Sequence, residues 1–293
     1  MTRPGWERLW RHSYRVGLGW LLRGVRHGWR GARVGLCRLL VPLDPWRYYE
    51  MGRVADQRFT GRVLDVSSPK LLMSLLAREG RGEWLGIDLM RREIERWRQV
   101  DPSLELDVAD GTRLPYPDES FDHAVTVSVL EHVAGAGDGE AMAEIWRVLR
   151  PGGDLHLTTN VASRPRELWR EDAIYDEASA VVDGKVFFER HYTPETLRER
   201  LLRLPWRVEA EEYAVEIDCS VQDRFERFRP WSYLVGGLLR RRCPGNFRTS
   251  RSPDILDAER HGVVYLHLIK PEAAGMAPPG VAHSSGAGPA RTR

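Results

Sequence analysis

Between Arg62 and Asn160 the chain alternates short apolar runs with longer amphipathic ones. "RVLDV", "EWLGIDL", "LELDVAD", "FDHAVTVSV" and "DLHLTTN" each hold five to nine residues, most of them rich in Val, Leu and Ile. Runs of that kind read as strands buried on both faces of a parallel sheet. Between them, "PKLLMSLLAREG", "RREIERWRQV" and "EAMAEIWRVL" place apolar residues at helical spacing. Strands alternating with helices predict a doubly wound, mostly parallel α/β sheet with right-handed crossovers. "RPGG", Arg150 to Gly153, is read as the stop of the last helix and the turn into its strand.

The pattern changes on either side. From Leu18 to Leu40 the apolar positions fall on one helical face, and Arg15, Arg23, Arg26, Arg30 and Arg33 fall on the other. Trp20 belongs to the basic side and Trp29 lies amid the leucines. A basic amphipathic helix suits an anionic membrane surface, but it equally suits a helix packed on the main domain with its arginines in water. A processed, arginine-rich targeting peptide is a third reading. Gly24, Gly28, Gly31 and Gly35 weaken such a helix. Residues 1–48 are therefore assigned to a basic helical extension, and 49–270 to the main domain.

C-terminal to the alternation, "HYTPETLRERLL" predicts a helix capped by Thr193 with Pro194 in its first position. "RVEAEEYAVEI" and "GVVYLHLIK" read as a closing pair of strands. Insertions are expected at about 161–192 and 219–258, the second containing Phe225, Phe228, Trp231, Leu234, Val235 and Leu238 at helical spacing. The tail, 271–293, is rich in Pro, Gly, Ala and Ser and is expected to be disordered.

Composition narrows the picture in three ways. A net charge of +2 over 293 residues argues against nucleic-acid binding through bulk charge. Lys70, Lys185 and Lys270 are the only lysines, a skew that fits a GC-rich coding sequence and deprives individual arginines of special meaning. Cys37, Cys219 and Cys243 show no metal-ligand spacing and read as ordinary small residues of a reduced, intracellular protein. No apolar run is long enough to span a bilayer, and arginines interrupt any signal-peptide core. The expected location is the cytoplasm, peripheral to the inner face of the membrane if the N-terminal helix meets lipid.

The candidate chemistry sits at the strand ends. After "RVLDV" a nucleotide-binding loop is normally glycine-rich, because backbone must approach the ligand in unusual dihedrals. Here it reads Ser67-Ser68-Pro69-Lys70. Ser68 is expected as N-cap and Pro69 in the first turn, leaving free N–H groups and the Lys70 charge to receive a carboxylate or phosphate. Asp88 ends the second strand about twenty residues later, where an acid can accept hydrogen bonds from a ribose diol. A nicotinamide enzyme would use the same acid, but its G-x-G-x-x-G is missing.

The segment "DVADGTRLPYPDESFDHAVTVSVLEHV", continued by "EIWRVLRPGGDLHLTT", resembles the class I S-adenosylmethionine (SAM)-dependent methyltransferases over roughly residues 60 to 160. Asp110, Leu114, Pro115, Asp118, Ser120, Phe121 and Asp122 match the family's D-x-x-x-L-P-[FY]-x-D-x-S-F-D segment. The resemblance implies a Rossmann-like fold and SAM as cofactor. It places Asp65 and Ser67 at the amino-acid end of SAM, Asp88 and Leu89 at the ribose, Asp110 and Gly111 at the adenine, and Ser128 beneath the sulfonium. Lys70 joins them as a cofactor-loop residue. Ser67, Pro69 and Leu71 stand where the family has glycines, and the retained acids favour a working site.

His132, in "SVLEHV", is the candidate general base for an acceptor hydroxyl, although Glu131 and His132 also suit a purely structural pinning of the loop. His191 and Tyr192 read more naturally as a hydrogen-bonded core pair. Some similar quinone methyltransferases bind a metal through two acids and a histidine; Ser128 takes the first acid's place, so no metal is expected there. The expected function is O-methylation of a small molecule or of a glycan, since "LVPLDPWRYYEMGRV" resembles bacterial methyltransferases found with polysaccharide-assembly enzymes. The alternative is an inactive methyltransferase-like module at a membrane surface.

Overall fold

The computed structural model describes residues 3–27, 29–40, 43–172, 180–217, 245–256 and 262–272. Three helices precede the sheet: α1 (Gly5–His27), α2 (Trp29–Leu40) and α3 (Pro45–Ala55). The alternating core follows as β1 (Arg62–Val66), α4 (Lys70–Arg78), β2 (Glu83–Asp88), α5 (Arg91–Val100), β3 (Glu105–Val108), β4 (Phe121–Val127), α6 (Gly137–Val148) and β5 (Leu149–Val161). The excursion β6 (Arg166–Arg170), β7 (Val181–Val182) and β8 (Lys185–His191) leads to α7 (Pro194–Leu201). The chain then closes with β9 (Arg207–Glu216), β10 (Phe247–Ser250) and β11 (Gly262–Ile269).

The main sheet runs β10-β9-β11-β5-β4-β1-β2-β3. Its five-strand core, β3 to β5, is parallel, whereas β11 lies antiparallel between β5 and β9. This is the doubly wound, mostly parallel sheet that the alternation predicts, and the closing strand pair is present. Val63 to Val66 are all buried, as a strand covered on both faces requires. One face packs against α1, α3, α4 and α5, and the other against α6 and α7. Thr193 caps α7 as expected, receiving Thr196 N–H on its hydroxyl while the Thr196 side chain accepts from the Thr193 N–H. β5 begins at Leu149, directly from the end of α6, so "RPGG" lies inside the strand rather than before it.

The N-terminal segment departs from the expected single helix. It is two helices, α1 and α2, crossing where a Cβ on Gly35 would lie 2.7 Å from Gly17 O and 2.4 Å from Leu21 N. Gly35, read above as a weakness, is what allows that approach. The inward stripe is Leu9, His12, Ser13, Val16 and Trp20, all buried. Trp20 packs against Trp97 of α5 with ring centroids 6.3 Å apart, and Leu18, Leu22 and Leu36 are exposed. The predicted inward face is therefore displaced at α1: Leu18 and Leu22 face outward and Trp20 inward, while Arg15 and Arg23 are exposed as expected. α3, which crosses the boundary drawn at residue 48, was not foreseen; Tyr48, Met51 and Val54 anchor it in the core. Cys37 is exposed rather than packed.

The side chains of Arg26, Trp29, Arg30 and Arg33 lie outside the described part, as do Cys219, Cys243, the Phe225–Leu238 segment and residues 273–293. Among the described residues no helix is long and apolar enough to cross a membrane.

Candidate cofactor and active site

The carboxyl ends of β1, β2, β3 and β4 converge on a cavity of about 370 Å³, where ligands bind in open α/β sheets and within the size range of small-molecule pockets. Ser67, Lys70, Asp88, Leu89, Asp110, Gly111, Ser128 and His132 all line it. Asp65 does not: its side chain is fully buried beneath the loop.

The loop after β1 resolves the question of its missing glycines. Ser67 sits at φ 57°, in the left-handed region that glycine usually supplies. Ser128, at the end of β4, does the same at φ 56°. Both turns are held by backbone bonds, Ser67 N–H to Ile87 O at 3.0 Å and Ser128 N–H to Thr158 O at 2.9 Å. The loop thus takes a glycine-like path with serines, at a strain of about 1 kcal/mol or more for each.

Two expectations about this loop are corrected. Ser68 is not the helix cap; α4 begins at Lys70, and the Ser68 hydroxyl instead accepts the Val127 N–H at 3.0 Å. Lys70 does not offer its charge to an anion. Its ammonium donates to Asp65 Oδ1 at 2.9 Å, Ser68 O at 3.0 Å and Ile87 O at 2.9 Å, which uses all three protons. The physical reason is Asp65: a carboxylate buried at the end of β1 demands a counter-charge, and the lysine five residues on is close enough to supply it. Lys70 also lies 3.9 Å from Asp88 Oδ2 and so links both acids.

Asp88 is nearly buried, and burial pushes its carboxyl above the usual range despite Lys70. One oxygen accepts the Met90 N–H at 3.0 Å, which fixes the carboxylate at the cavity wall. Asp110 Oδ1 accepts from both the N–H and the hydroxyl of Thr112 at 2.8 Å, a tight turn that presents Gly111 to the cavity. A Cβ on Gly111 would stand 3.1 Å from Val66 Cγ1, so a small residue is favoured there.

After β4, a short 3-10 turn (Leu130–His132) carries the other wall. Glu131 is fully buried and accepts hydroxyl protons from Ser128 at 2.8 Å and Thr159 at 2.9 Å; burial pushes its carboxyl up. Glu131 therefore pins the turn. His132 Nδ1 lies 2.7 Å from the carbonyl of Phe188 in β8. A carbonyl only accepts, so Nδ1 carries the proton and Nε2 is the basic nitrogen of the ring. His191 and Tyr192 are buried away from the cavity; Tyr192 donates to Asp138 Oδ2 at 2.9 Å, as a core residue would.

Sequence reasoning did not single out Arg47, Glu93 and Thr112 for this site, yet they line the cavity. Arg47 comes from α3 and is held by Glu50 at 2.8 Å. "DP" at Asp44-Pro45, a helix-start signal, marks α3, but nothing in the local pattern brings it to the carboxyl ends of β1 and β4.

Residues 64–157 match the family model described as a methyltransferase domain. The chain is 35% identical over 102 residues to a demethylmenaquinone methyltransferase of Deinococcus radiodurans, covering 33% of this chain and 42% of that protein. It is 30% identical over 115 residues to the methyltransferase GfsG of Streptomyces halstedii, covering 37% and 38%. It is 35% identical over 78 residues to the 27-O-demethylrifamycin SV methyltransferase of Amycolatopsis mediterranei, covering 25% and 28%. The matches thus span less than half the length of these relatives. Among solved structures, the MccD protein superposes with a TM-score of 0.50 over 77% of this chain and 98% of its own, at 15% identity, a likeness of fold. The cavity suits SAM: an acid at the β2 end for a diol, a glycine turn at the β3 end for a flat base, and two left-handed serines where backbone must come close. Residues 64–157 thus match a methyltransferase domain, and the lining of the cavity they build fits SAM as its cofactor.

Proposed function

We propose that this protein methylates a hydroxyl group on a small-molecule or glycan acceptor. The observation that carries the reading is the His132–Phe188 contact. It sets the imidazole tautomer so that Nε2, on a cavity-lining residue, is able to take a proton from an acceptor hydroxyl. When bound, SAM supplies an electrophilic methyl group on a sulfonium. Asp88 and Gly111 hold and orient the nucleoside end, the Ser67 and Ser128 turns bring backbone close to the other end, and His132 holds the acceptor proton. Position and desolvation supply much of the rate in such a displacement.

The acceptor side is bounded by β8, whose Phe188 carbonyl fixes His132, and by α3, which contributes Arg47. The names of relatives that act on a demethylmenaquinone and on a 27-O-demethylrifamycin support a small-molecule acceptor. A lipid-linked acceptor draws support from α1. Arg11, Arg15, Leu18 and Leu22 recur at helical spacing and are all exposed, forming one stripe that is basic at one end and apolar at the other. Such a stripe suits peripheral contact with an anionic membrane.

The test is calorimetric titration with SAM and NAD, then assay of S-adenosylhomocysteine release against quinone, macrolactone and lipid-linked sugar acceptors. SAM alone should bind, and Asp88→Ala should weaken it by about 1.5–3 kcal/mol, the scale of hydrogen bonds to a charged group. Unchanged affinity in a folded Asp88→Ala protein would refute the assigned cofactor orientation. SAM binding without turnover on any acceptor, in wild type and His132→Ala alike, would favour a binding module.

A further inference from the structure

We infer that Asp154, His156 and His267 form a binding site for a divalent transition metal of the zinc type, separate from the cofactor cavity. The three residues are brought together by strand register. His156 and His267 are directly opposed on β5 and β11, and Asp154 precedes His156 by two residues on the same face. One ligand atom from each lies within 4.8 Å of the other two. The two imidazole rings stack with centroids 4.3 Å apart at 21°, and Asp154 Oδ2 stands 2.8 Å from His267 Nε2 and 3.5 Å from His156 Nε2.

The surrounding residues arrange these atoms as a metal site requires. His123, opposite Asp154 on β4, accepts the Thr60 N–H on Nε2 at 3.3 Å; its Nδ1 therefore carries a proton and donates it to Asp154 Oδ1 at 2.5 Å. One carboxylate oxygen is thereby anchored, and the other is turned to the two histidines. His156 Nδ1 lies 2.9 Å from the Tyr265 hydroxyl, the outer hydrogen bond that usually orients a metal-binding imidazole. Phe59 closes the site from the side, its ring 5.3 Å from His156 and 5.5 Å from His123.

Two imidazole nitrogens and one carboxylate oxygen are a donor set that suits zinc, with a fourth position for water. Asp154 and His267 are partly exposed, which gives that position access. In a tetrahedron with zinc–ligand bonds of about 2.0–2.1 Å, neighbouring ligands are about 3.4 Å apart. The His156–Asp154 separation already matches, and His267 must retreat by about 0.6 Å as its hydrogen bond to Asp154 gives way. The site lies about four residues, roughly 13 Å, along the strands from the cofactor cavity. It is placed to tie the closing strand β11 to β5, not to touch the methyl group.

The test uses full-length, untagged protein stripped with a chelator and titrated with Zn²⁺ by calorimetry and with Co²⁺ by visible absorption. One equivalent per chain is expected, with a four-coordinate Co²⁺ spectrum and a raised melting temperature. His267→Ala should abolish binding, and His123→Ala, which removes only the outer partner, should weaken it by about 10–100-fold. Both variants should retain SAM affinity, which reports that they are folded and that the cofactor assignment stands independently. Absence of Zn²⁺ and Co²⁺ binding in a protein that binds SAM would overturn the inference. Binding unchanged in both His267→Ala and Asp154→Asn would overturn it equally, by placing the metal elsewhere.

Discussion

Lys70 Nζ lies 2.9 Å from Asp65 Oδ1, with both side chains sealed from solvent. The pair joins the end of β1 to the start of α4 and sets the loop that shapes the cofactor cavity. Removing one partner of a buried pair costs far more than the pair contributes, because the other charge is stranded. Lys70→Met should therefore destabilise the protein by about 3–5 kcal/mol at pH 7, measured by urea unfolding. Burial already pushes the Asp65 carboxyl upward, and without Lys70 it rises further. A folded-state value above the unfolded one favours folding at low pH and penalises it as pH climbs. The deficit of Lys70→Met should thus shrink at pH 5; a deficit that is independent of pH would refute the pairing.

Ser67 occupies a left-handed conformation at φ 57°, which glycine adopts without the steric cost a serine bears. Ser67→Gly should leave the melting temperature equal or higher. SAM affinity should stay within about tenfold, or 1.4 kcal/mol. An affinity gain much larger than that would show that the serine side chain obstructs the site.

Acid should loosen the N-terminal helices before it unfolds the sheet. His12 Nε2 meets Ser74 Oγ at 2.9 Å, and that hydroxyl donates to Asp101, so the ring is neutral with its proton on Nε2. Its Nδ1 is buried without a hydrogen-bond partner. Burial, helped by Arg78 and Arg15, lowers the imidazole to about 4. The unfolded chain takes up this proton near pH 6.5, so between there and pH 4 the unfolded state binds more protons and stability falls as pH falls. The loss should approach about 3 kcal/mol, and His12→Gln should flatten it in melting curves collected across that window.

The two faces of α1 should respond differently to mutation. Leu9, Val16 and Trp20 cover α4 and α5, so deleting residues 1–40 should cost stability at about 25 cal/mol per Å² of uncovered apolar surface. Leu18 and Leu22 are 50% and 60% exposed, and replacing both by glutamate should leave the melting temperature unchanged. If this stripe meets a membrane, the double glutamate variant should lose sedimentation with anionic liposomes that the wild type shows. Wild-type protein that never sediments would exclude the lipid contact.

By itself, the order of apolar and amphipathic runs determined the parallel core, its closing strand pair and the cap of α7. Those features follow from local spacing, and a strand buried on both faces or a Thr-Pro helix start reads the same wherever it lies in the fold. Asp88 was legible as the acid at the end of β2, whereas Asp110, Gly111 and Ser128 were assigned through the resemblance to methyltransferases; they meet His132 at one edge of the sheet because strand ends in such a sheet converge by construction. What Lys70 does there depended on tertiary structure, since only a carboxylate buried beside it diverts an ammonium from a ligand to the fold. The phase of α1 was likewise undecidable locally: leucines and tryptophan compete for the inward face, and the bulky ring of Trp97 on a distant helix settles which one is covered. His123, Asp154, His156 and His267 carried no signal in the chain, because their meeting is a matter of β4–β5–β11 register between positions up to 144 residues apart.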